Sequence, residues 1–154
     1  MPQIVDLQNL ELMSFASELD PTRRVSATFP ISSASGTAAS CAVYFELEPG
    51  AHVGVHTDSS EEFIVVLEGE GLALLGEETA PVREGQVVVV PAMERHDLTN
   101  TGTGPLRILG TFAGSTSVAT FEDDLMPGGP RVFVIGAPTP IALPLEQEMA
   151  ASAH

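Results

Sequence analysis

The sequence contains no lysine, no tryptophan and a single cysteine, and each shortage narrows what the protein can be. Cys41 has no partner in the chain, so an intrachain disulfide is impossible, and a reducing compartment such as the cytoplasm is expected. The six cationic residues are all arginine and face 21 aspartates and glutamates, which gives a net charge of −15. Phosphate backbones and anionic lipid surfaces would be repelled, so neither nucleic-acid nor membrane partners are expected.

Long hydrophobic runs are also missing. The first ten residues, MPQIVDLQNL, have neither the basic start nor the apolar stretch of a signal peptide, and no later run is long enough for a transmembrane helix. Apolar residues make up 44% of the 154 residues and charged residues 18%, which is typical of a globular chain with the length of one domain. We therefore predict a single-domain, cytoplasmic protein.

Short apolar runs separated by turn residues dominate the chain after residue 40. The runs are CAVYFELE, FIVVLEG, LALLG, QVVVVP, LRILGTF and RVFVIG. Between them lie turn sequences such as REG, TNTGTGP and MPGGP, and no segment there has a helical period over ten residues. The pattern predicts an all-β sandwich or barrel.

We divide the chain into an N-terminal arm at residues 1–40, a β-barrel at residues 41–136 and a C-terminal tail at residues 137–154. Within the arm, LQNLELMSFASEL fits either a short helix or an irregular segment.

The stretch HVGVHTDSSEEF, residues 52–63, concentrates groups that bind metals. Val53, Gly54 and Val55 disfavour a helix, so we place the stretch on a strand and a turn. On a strand, residues two apart point the same way, so His56 and Asp58 face one side together. His52 has the same parity but lies about 13 Å from His56 along a straight strand, which makes it a weaker candidate ligand.

Two further candidates lie at the ends of apolar strands. Glu62 precedes the apolar residues of FIVVL, where a carboxylate is costly unless it is paired or coordinated. His96 follows the strand that ends at Pro91. On a strand its neighbours Arg95 and Asp97 would point away from the metal, so we expect them in solvent or in a salt bridge at the rim. Two histidines and a carboxylate with open positions form the facial-triad type of site that holds non-haem iron and similar divalent ions.

The spacing of these residues resembles the two motifs of the cupin superfamily. The first motif is matched by Gly50, five residues, His56-Thr57-Asp58, three residues, Glu62, six residues and Gly69. The second is matched by Gly85, five residues, Pro91-Ala92-Met93, two residues, His96, three residues and Asn100. Asp58 stands where a second histidine is usual, and Met93 stands where glycine is usual.

The resemblance implies an all-β cupin fold, a double-stranded β-helix or jelly-roll barrel, with one divalent metal ion inside. It assigns His56, Glu62 and His96 as metal ligands and gives Asp58 the position of the second histidine. Asp58 is either a fourth ligand or a group that orients His56 or a bound water, His52 is an alternative fourth ligand, and water could complete a three-ligand site. A metal-free cupin is a further alternative. The ion could be Fe, Mn, Ni or Zn.

Three functions fit a metal inside such a barrel. The first is an oxygen-dependent oxidoreductase of the dioxygenase type, acting on a small organic substrate. The second is a non-redox isomerase, cyclase or lyase, and the third is a non-catalytic binder of a small molecule. We expect an apolar pocket lined by Ile64, Val66, Val88 and Val90.

A homodimer is also expected, because the open edges of a two-sheet barrel must be covered or paired. The outward side chains Phe63, Val65 and Leu67 supply an apolar face for that contact.

Overall fold

The computed structural model describes residues 3–137 and the backbone of residues 141–142. Two antiparallel sheets face each other in it, and this confirms the predicted all-β fold. The first sheet runs, in spatial order, through β1 (Met13–Ala16), β2 (Arg24–Ile31), β3 (Cys41–Leu47), β10 (Leu106–Phe112), β5 (Glu62–Glu68) and β8 (Val87–Val90). The second runs through β13 (Ile141–Ala142), β12 (Val132–Ile135), β11 (Ser117–Phe121), β4 (His56–Asp58), β9 (His96–Asn100), β6 (Glu70–Leu75) and β7 (Glu78–Arg83). A 3-10 turn, Ser33–Ser35, links β2 to β3.

The core lies between the two sheets and follows the alternation of the sequence. In β10, every second residue from Leu106 to Phe112 is buried, and in β5 the inward residues are Glu62, Ile64 and Val66. Because successive strand residues face opposite sides, the apolar halves of both strands meet the opposite sheet. Within the described ranges there is no helix long and apolar enough to cross a bilayer.

Residues 1–40, predicted as an arm, carry two strands of the first sheet. β2 pairs with β3 through Ser26, Ala27 and Thr28, and β1 pairs with β2. The stretch for which a short helix was one possibility forms turns and β1 instead. Of the predicted tail at residues 137–154, only residues 137 and 141–142 are described, and the last two pair with β12.

The turn glycines adopt backbone conformations that side chains disfavour. Gly50, Gly69 and Gly85 lie in turns and have φ angles of 80°, 90° and 87°. Met93, which replaces the glycine of the second motif, keeps a φ of 65°. Its amide donates to the carbonyl of Asp58, so the turn retains the glycine conformation without the glycine.

Candidate metal centre

Four polar side chains converge between the sheets, three from two neighbouring strands of one sheet and one from the facing sheet. His56 and Asp58 lie two apart on β4, and His96 lies directly opposite His56 on β9. Glu62 opens β5 in the first sheet. The backbone pairing of β4 with β9 therefore aligns the two histidines, and the packing of the sheets adds the glutamate.

The donor atoms of this cluster are close together. Asp58 Oδ2 lies 3.1 Å from His96 Nε2 and 3.5 Å from His56 Nε2, and Glu62 Oε1 lies 3.3 Å from His96 Nε2. The ligand atoms of His56, Asp58 and His96 all lie within 4.8 Å of one another. Asp58, His96 and Glu62 are 2%, 3% and 4% exposed, so the cluster is sheltered from water.

Main-chain carbonyls determine which ring nitrogen of each histidine faces the cluster. His56 Nδ1 donates to Gly54 O at 2.7 Å, and His96 Nδ1 donates to Glu94 O at 2.8 Å. A carbonyl can only accept, so in the neutral rings the proton is on Nδ1 and the lone pair of Nε2 points inward. This is the tautomer that a metal-binding histidine needs.

The inward atoms lack protein partners in hydrogen-bond geometry. Both carboxylate oxygens of Asp58 and Nε2 of His96 are buried and unpartnered, although the two residues approach to 3.1 Å. Leaving such groups unsatisfied is costly. A divalent cation among them would satisfy the two imidazole lone pairs and the carboxylates together, so the donor set fits a metal ion.

The electrostatics also favour a positive species here. Burial alone would raise the pKa of Asp58, but the neighbouring imidazoles of His56 and His96 hold that pKa at about 2. Burial alone would lower the pKa of His96, but the carboxylates of Asp58 and Glu62, 3.1 and 3.3 Å from its Nε2, favour the protonated ring and raise the pKa to about 10. Burial raises the pKa of Glu62, and repulsion by Asp58 adds to the rise.

His52 is not brought into the cluster. Its Nδ1 lies 2.7 Å from Asp97 Oδ2 and its Nε2 lies 2.9 Å from Asp20 Oδ2, so both ring nitrogens are occupied elsewhere. Asp97 was expected in solvent or in a salt bridge at the rim, and that expectation is wrong. Asp97 is buried because it also accepts from the backbone amides of Gly54 and Leu98.

Other polar residues near the motifs have structural roles. Arg95 forms the expected ion pair at the rim, with Glu122. Asn100 donates to the carbonyls of Leu47 and Gly104, each at 2.8 Å, and ties β9 to two turns. Cys41 is 1% exposed, and burial, with the charges of Asp58 and Glu62, raises the pKa of its thiol to about 11, so it is a protonated core residue.

A cavity of about 130 Å³, which we call the apolar cavity, borders the cluster. Its walls come from β1, β2, β3, β11 and β12, and aromatic side chains dominate them: Phe15, Phe29, Phe45, Phe121 and Phe133. The predicted lining residues Ile64, Val66, Val88 and Val90 do not line it. They lie on β5 and β8, where Ile64, Val66 and Val90 are packed into the core.

Phe121 connects the apolar cavity to the cluster, and sequence patterns gave no sign of it. Its ring stacks on His56 with centroids 4.6 Å apart, and the Arg23 guanidinium lies 4.6 Å from the same ring. The contact depends on the pairing of β11 with β4, which sets Phe121 opposite His56 across a long sequence separation.

Gly110 gives Glu62 room to reach the cluster. Gly110 faces inward on β10, and a methyl group there would overlap Glu62 Oε2 and lie 3.0 Å from Val43 Cγ1. The glycine thus leaves the space that the glutamate carboxylate fills.

Two layers of antiparallel strands around a buried set of two imidazoles and two carboxylates define a jelly-roll barrel with a candidate metal site. Residues 43–112 match the cupin domain family, which confirms the resemblance to the cupin superfamily seen in the sequence motifs. An uncharacterized protein of Methanocaldococcus jannaschii is 39% identical over 51 residues, which are 33% of this chain and 41% of that protein. The chain therefore spans less than half of that curated relative.

Solved structures share the fold at low sequence identity. A predicted oxalate decarboxylase from Thermotoga maritima superposes with a TM-score of 0.63 at 23% identity, covering 73% of this chain and 99% of that one. The polyketide cyclase RemF from Streptomyces resistomycificus superposes with a TM-score of 0.60 at 20% identity, covering 73% and 79%. The likeness at this identity is one of fold.

Proposed function

We propose that this chain is a metal-dependent cupin enzyme that acts on a small organic molecule, with His56, Asp58, Glu62 and His96 as the metal ligands. The observation that carries the proposal is the convergence of buried donor atoms that lack partners within the protein. A divalent ion bound there would act as a Lewis acid or, if it is redox-active, would exchange electrons with dioxygen. The structural neighbours with enzymatic names add support for an enzyme of small molecules.

The chain's own residues would prepare that chemistry. The carbonyls of Gly54 and Glu94 keep the imidazole protons on Nδ1, which fixes both ring orientations. The packed sheets exclude bulk water from Asp58 and Glu62, which strengthens their attraction for a cation. The apolar cavity beside Phe121 supplies a dry place for the organic substrate.

The finer proposal is an oxygen-dependent oxidoreductase of the dioxygenase type. Its support is the presence of two histidines and a carboxylate, a donor set that can leave positions for both dioxygen and substrate. A second candidate is a non-redox isomerase, cyclase or lyase. The fourth donor favours it, because four protein ligands leave fewer positions free than three, and a Lewis acid needs only one for the substrate.

The test of the ligand set is metal content. Protein purified without affinity tags or chelators is analysed by elemental mass spectrometry, alongside His96→Ala and the matched control His52→Ala. We expect near-stoichiometric metal in the wild type and in His52→Ala, because His52 lies outside the cluster. His96→Ala should lose most of the metal. Equal metal content in the two variants would contradict the ligand assignment.

A second measurement separates the two chemistries. The wild type is loaded with Fe²⁺ under anaerobic conditions and exposed to nitric oxide, which binds ferrous sites in place of dioxygen. An electron paramagnetic resonance signal of ferrous nitrosyl supports the oxygen-dependent proposal. Its absence from fully loaded protein would argue for the non-redox enzyme.

A further inference from the structure

The size of the apolar cavity limits what can occupy it. At about 130 Å³ it is close to the engineered cavity of about 150 Å³ that stays dry and accepts benzene. One ring of the size of benzene fits such a volume. The phenylalanine rings of the walls offer edges and faces for aromatic packing.

The walls offer an anion a single charged group. The one ionisable side chain among the described lining residues is Arg23, and two nitrogens of its guanidinium already donate to the main chain. It donates to the carbonyls of Val53 and Asp123 and lies over Phe121. A carboxylate or phosphate in the cavity would therefore lose its hydration against one guanidinium whose Nε and Nη1 already donate elsewhere, and the chain's net charge of −15 opposes its approach.

The cavity is placed to present its occupant to the cluster. Ala119 and Phe121 line it from β11, and they pair across the sheet with Asp58 and His56. A ring held against β11 therefore lies beside the strand that carries two of the four donors.

We infer that the substrate is an uncharged, single-ring molecule, aromatic or alicyclic, whose ring occupies the apolar cavity. This inference rests on the proposed function for the role of the cluster, but the selection against anions is a property of the cavity alone. Ala119 sets the depth of the cavity next to the cluster, and small carboxylates are excluded by desolvation.

The test uses two probes of equal size and different charge, benzyl alcohol and benzoate, with binding measured by isothermal titration calorimetry. We expect saturable 1:1 binding of benzyl alcohol to the wild type and binding of benzoate weaker by at least about tenfold. Ala119→Leu should weaken the binding of benzyl alcohol by at least about tenfold, because the three added carbons fill the cavity. Thr120 is the neighbouring residue on the opposite face of β11, so Thr120→Leu is the matched control. This variant should bind benzyl alcohol as tightly as the wild type does.

A further variant keeps the test independent of folding and of the metal. If Ala119→Leu does not fold, Ala27→Val, which narrows the cavity from β2, takes its place with the same expectation. Wild-type protein stripped of metal with a chelator should bind benzyl alcohol as the untreated protein does, so a failed ligand assignment and a failed cavity assignment give different results. Benzoate that binds as tightly as benzyl alcohol, or unchanged binding in the cavity-filling variants, would overturn the inference.

Discussion

Gly110→Ala perturbs the proposed metal centre from a residue that touches no metal. Gly110 faces the barrel interior between Ile108 and Phe112, and Glu62 lies against it. An alanine methyl would overlap Glu62 Oε2, lie 3.0 Å from Val43 Cγ1 and 3.4 Å from Glu62 Cδ. The glutamate carboxylate must therefore move away from the position in which it meets His96.

The expected magnitude combines two opposing terms. Overpacking a filled core destabilises by about 1–3 kcal/mol, whereas replacing glycine with alanine reduces the entropy of the unfolded chain and stabilises by about 0.4–1 kcal/mol. The overlap dominates, so we expect a net loss of about 0.5–2 kcal/mol in the free energy of unfolding of the apoprotein. Displacing Glu62 should also weaken metal binding by roughly 10–100-fold, the range seen when the support of a ligand is lost.

The assay is a Zn²⁺ titration against a competing chelator, together with denaturant unfolding of the metal-free protein. Gly104→Ala is the matched control, since a methyl group there meets nothing within 4 Å and the residue has no positive φ. In Gly110→Ala combined with Glu62→Gln, the loss of affinity should not exceed that of Glu62→Gln alone, because both changes act on one ligand. Unchanged Zn²⁺ affinity in Gly110→Ala would refute the reasoning that this glycine holds Glu62 in place.

Three further predictions concern charge, pH and assembly. Asp58→Asn keeps the shape of the side chain but removes its charge. Metal affinity should therefore fall at least about tenfold in the same titration. Unchanged affinity would remove Asp58 from the ligand set. Burial lowers the pKa of His52, but Asp97 and Asp20 outweigh it and raise that pKa above its usual value. His52 therefore stabilises the fold at pH values below its unfolded pKa of about 6.5, and this contribution is lost as pH rises through the folded pKa. His52→Gln should then lower the free energy of unfolding more near pH 5.5 than near pH 9. Equal losses at the two pH values would contradict this. We propose a homodimer through the outer face of β5 and β8, where Val89 is 53% exposed. Light scattering should therefore give twice the 16.1 kDa chain mass for the wild type and a monomer for Val89→Glu. A monomeric wild type would rule out this homodimer.

Much of the fold could be predicted because its signals are local. Period-two alternation and turn glycines specify most strands, and the same glycines adopt positive φ. The four candidate ligands could also be named, since His56 and Asp58 share a strand face and Glu62 and His96 lie at strand ends. At Met93 the motif predicts the backbone conformation but not the residue type, because the positive φ persists although glycine is absent.

Contacts between distant segments could not be predicted. Phe121 reaches His56 only through the pairing of β11 with β4, and the apolar cavity exists because β2 and β12 extend the two sheets. Asp97 was misjudged for a related reason. Its burial follows from partners on the loop at residues 52–54, which no strand pattern reveals. The pairing of strands that are distant in the sequence, rather than the chemistry of the residues, is what could not be inferred from this single sequence.

The shortness of β4 determines how the proposed centre would exchange its ion. Two of the four donors lie on a strand of three residues, which meets β11 through three residue pairs but meets β9 through a single pair. Short segments of this kind open locally at far lower free energy than global unfolding, so His56 and Asp58 leave His96 and Glu62 together when the strand frays. An ion held across both sheets opposes that opening by mass action. The residence time of an ion in the proposed centre would then depend on how often β4 separates from β9.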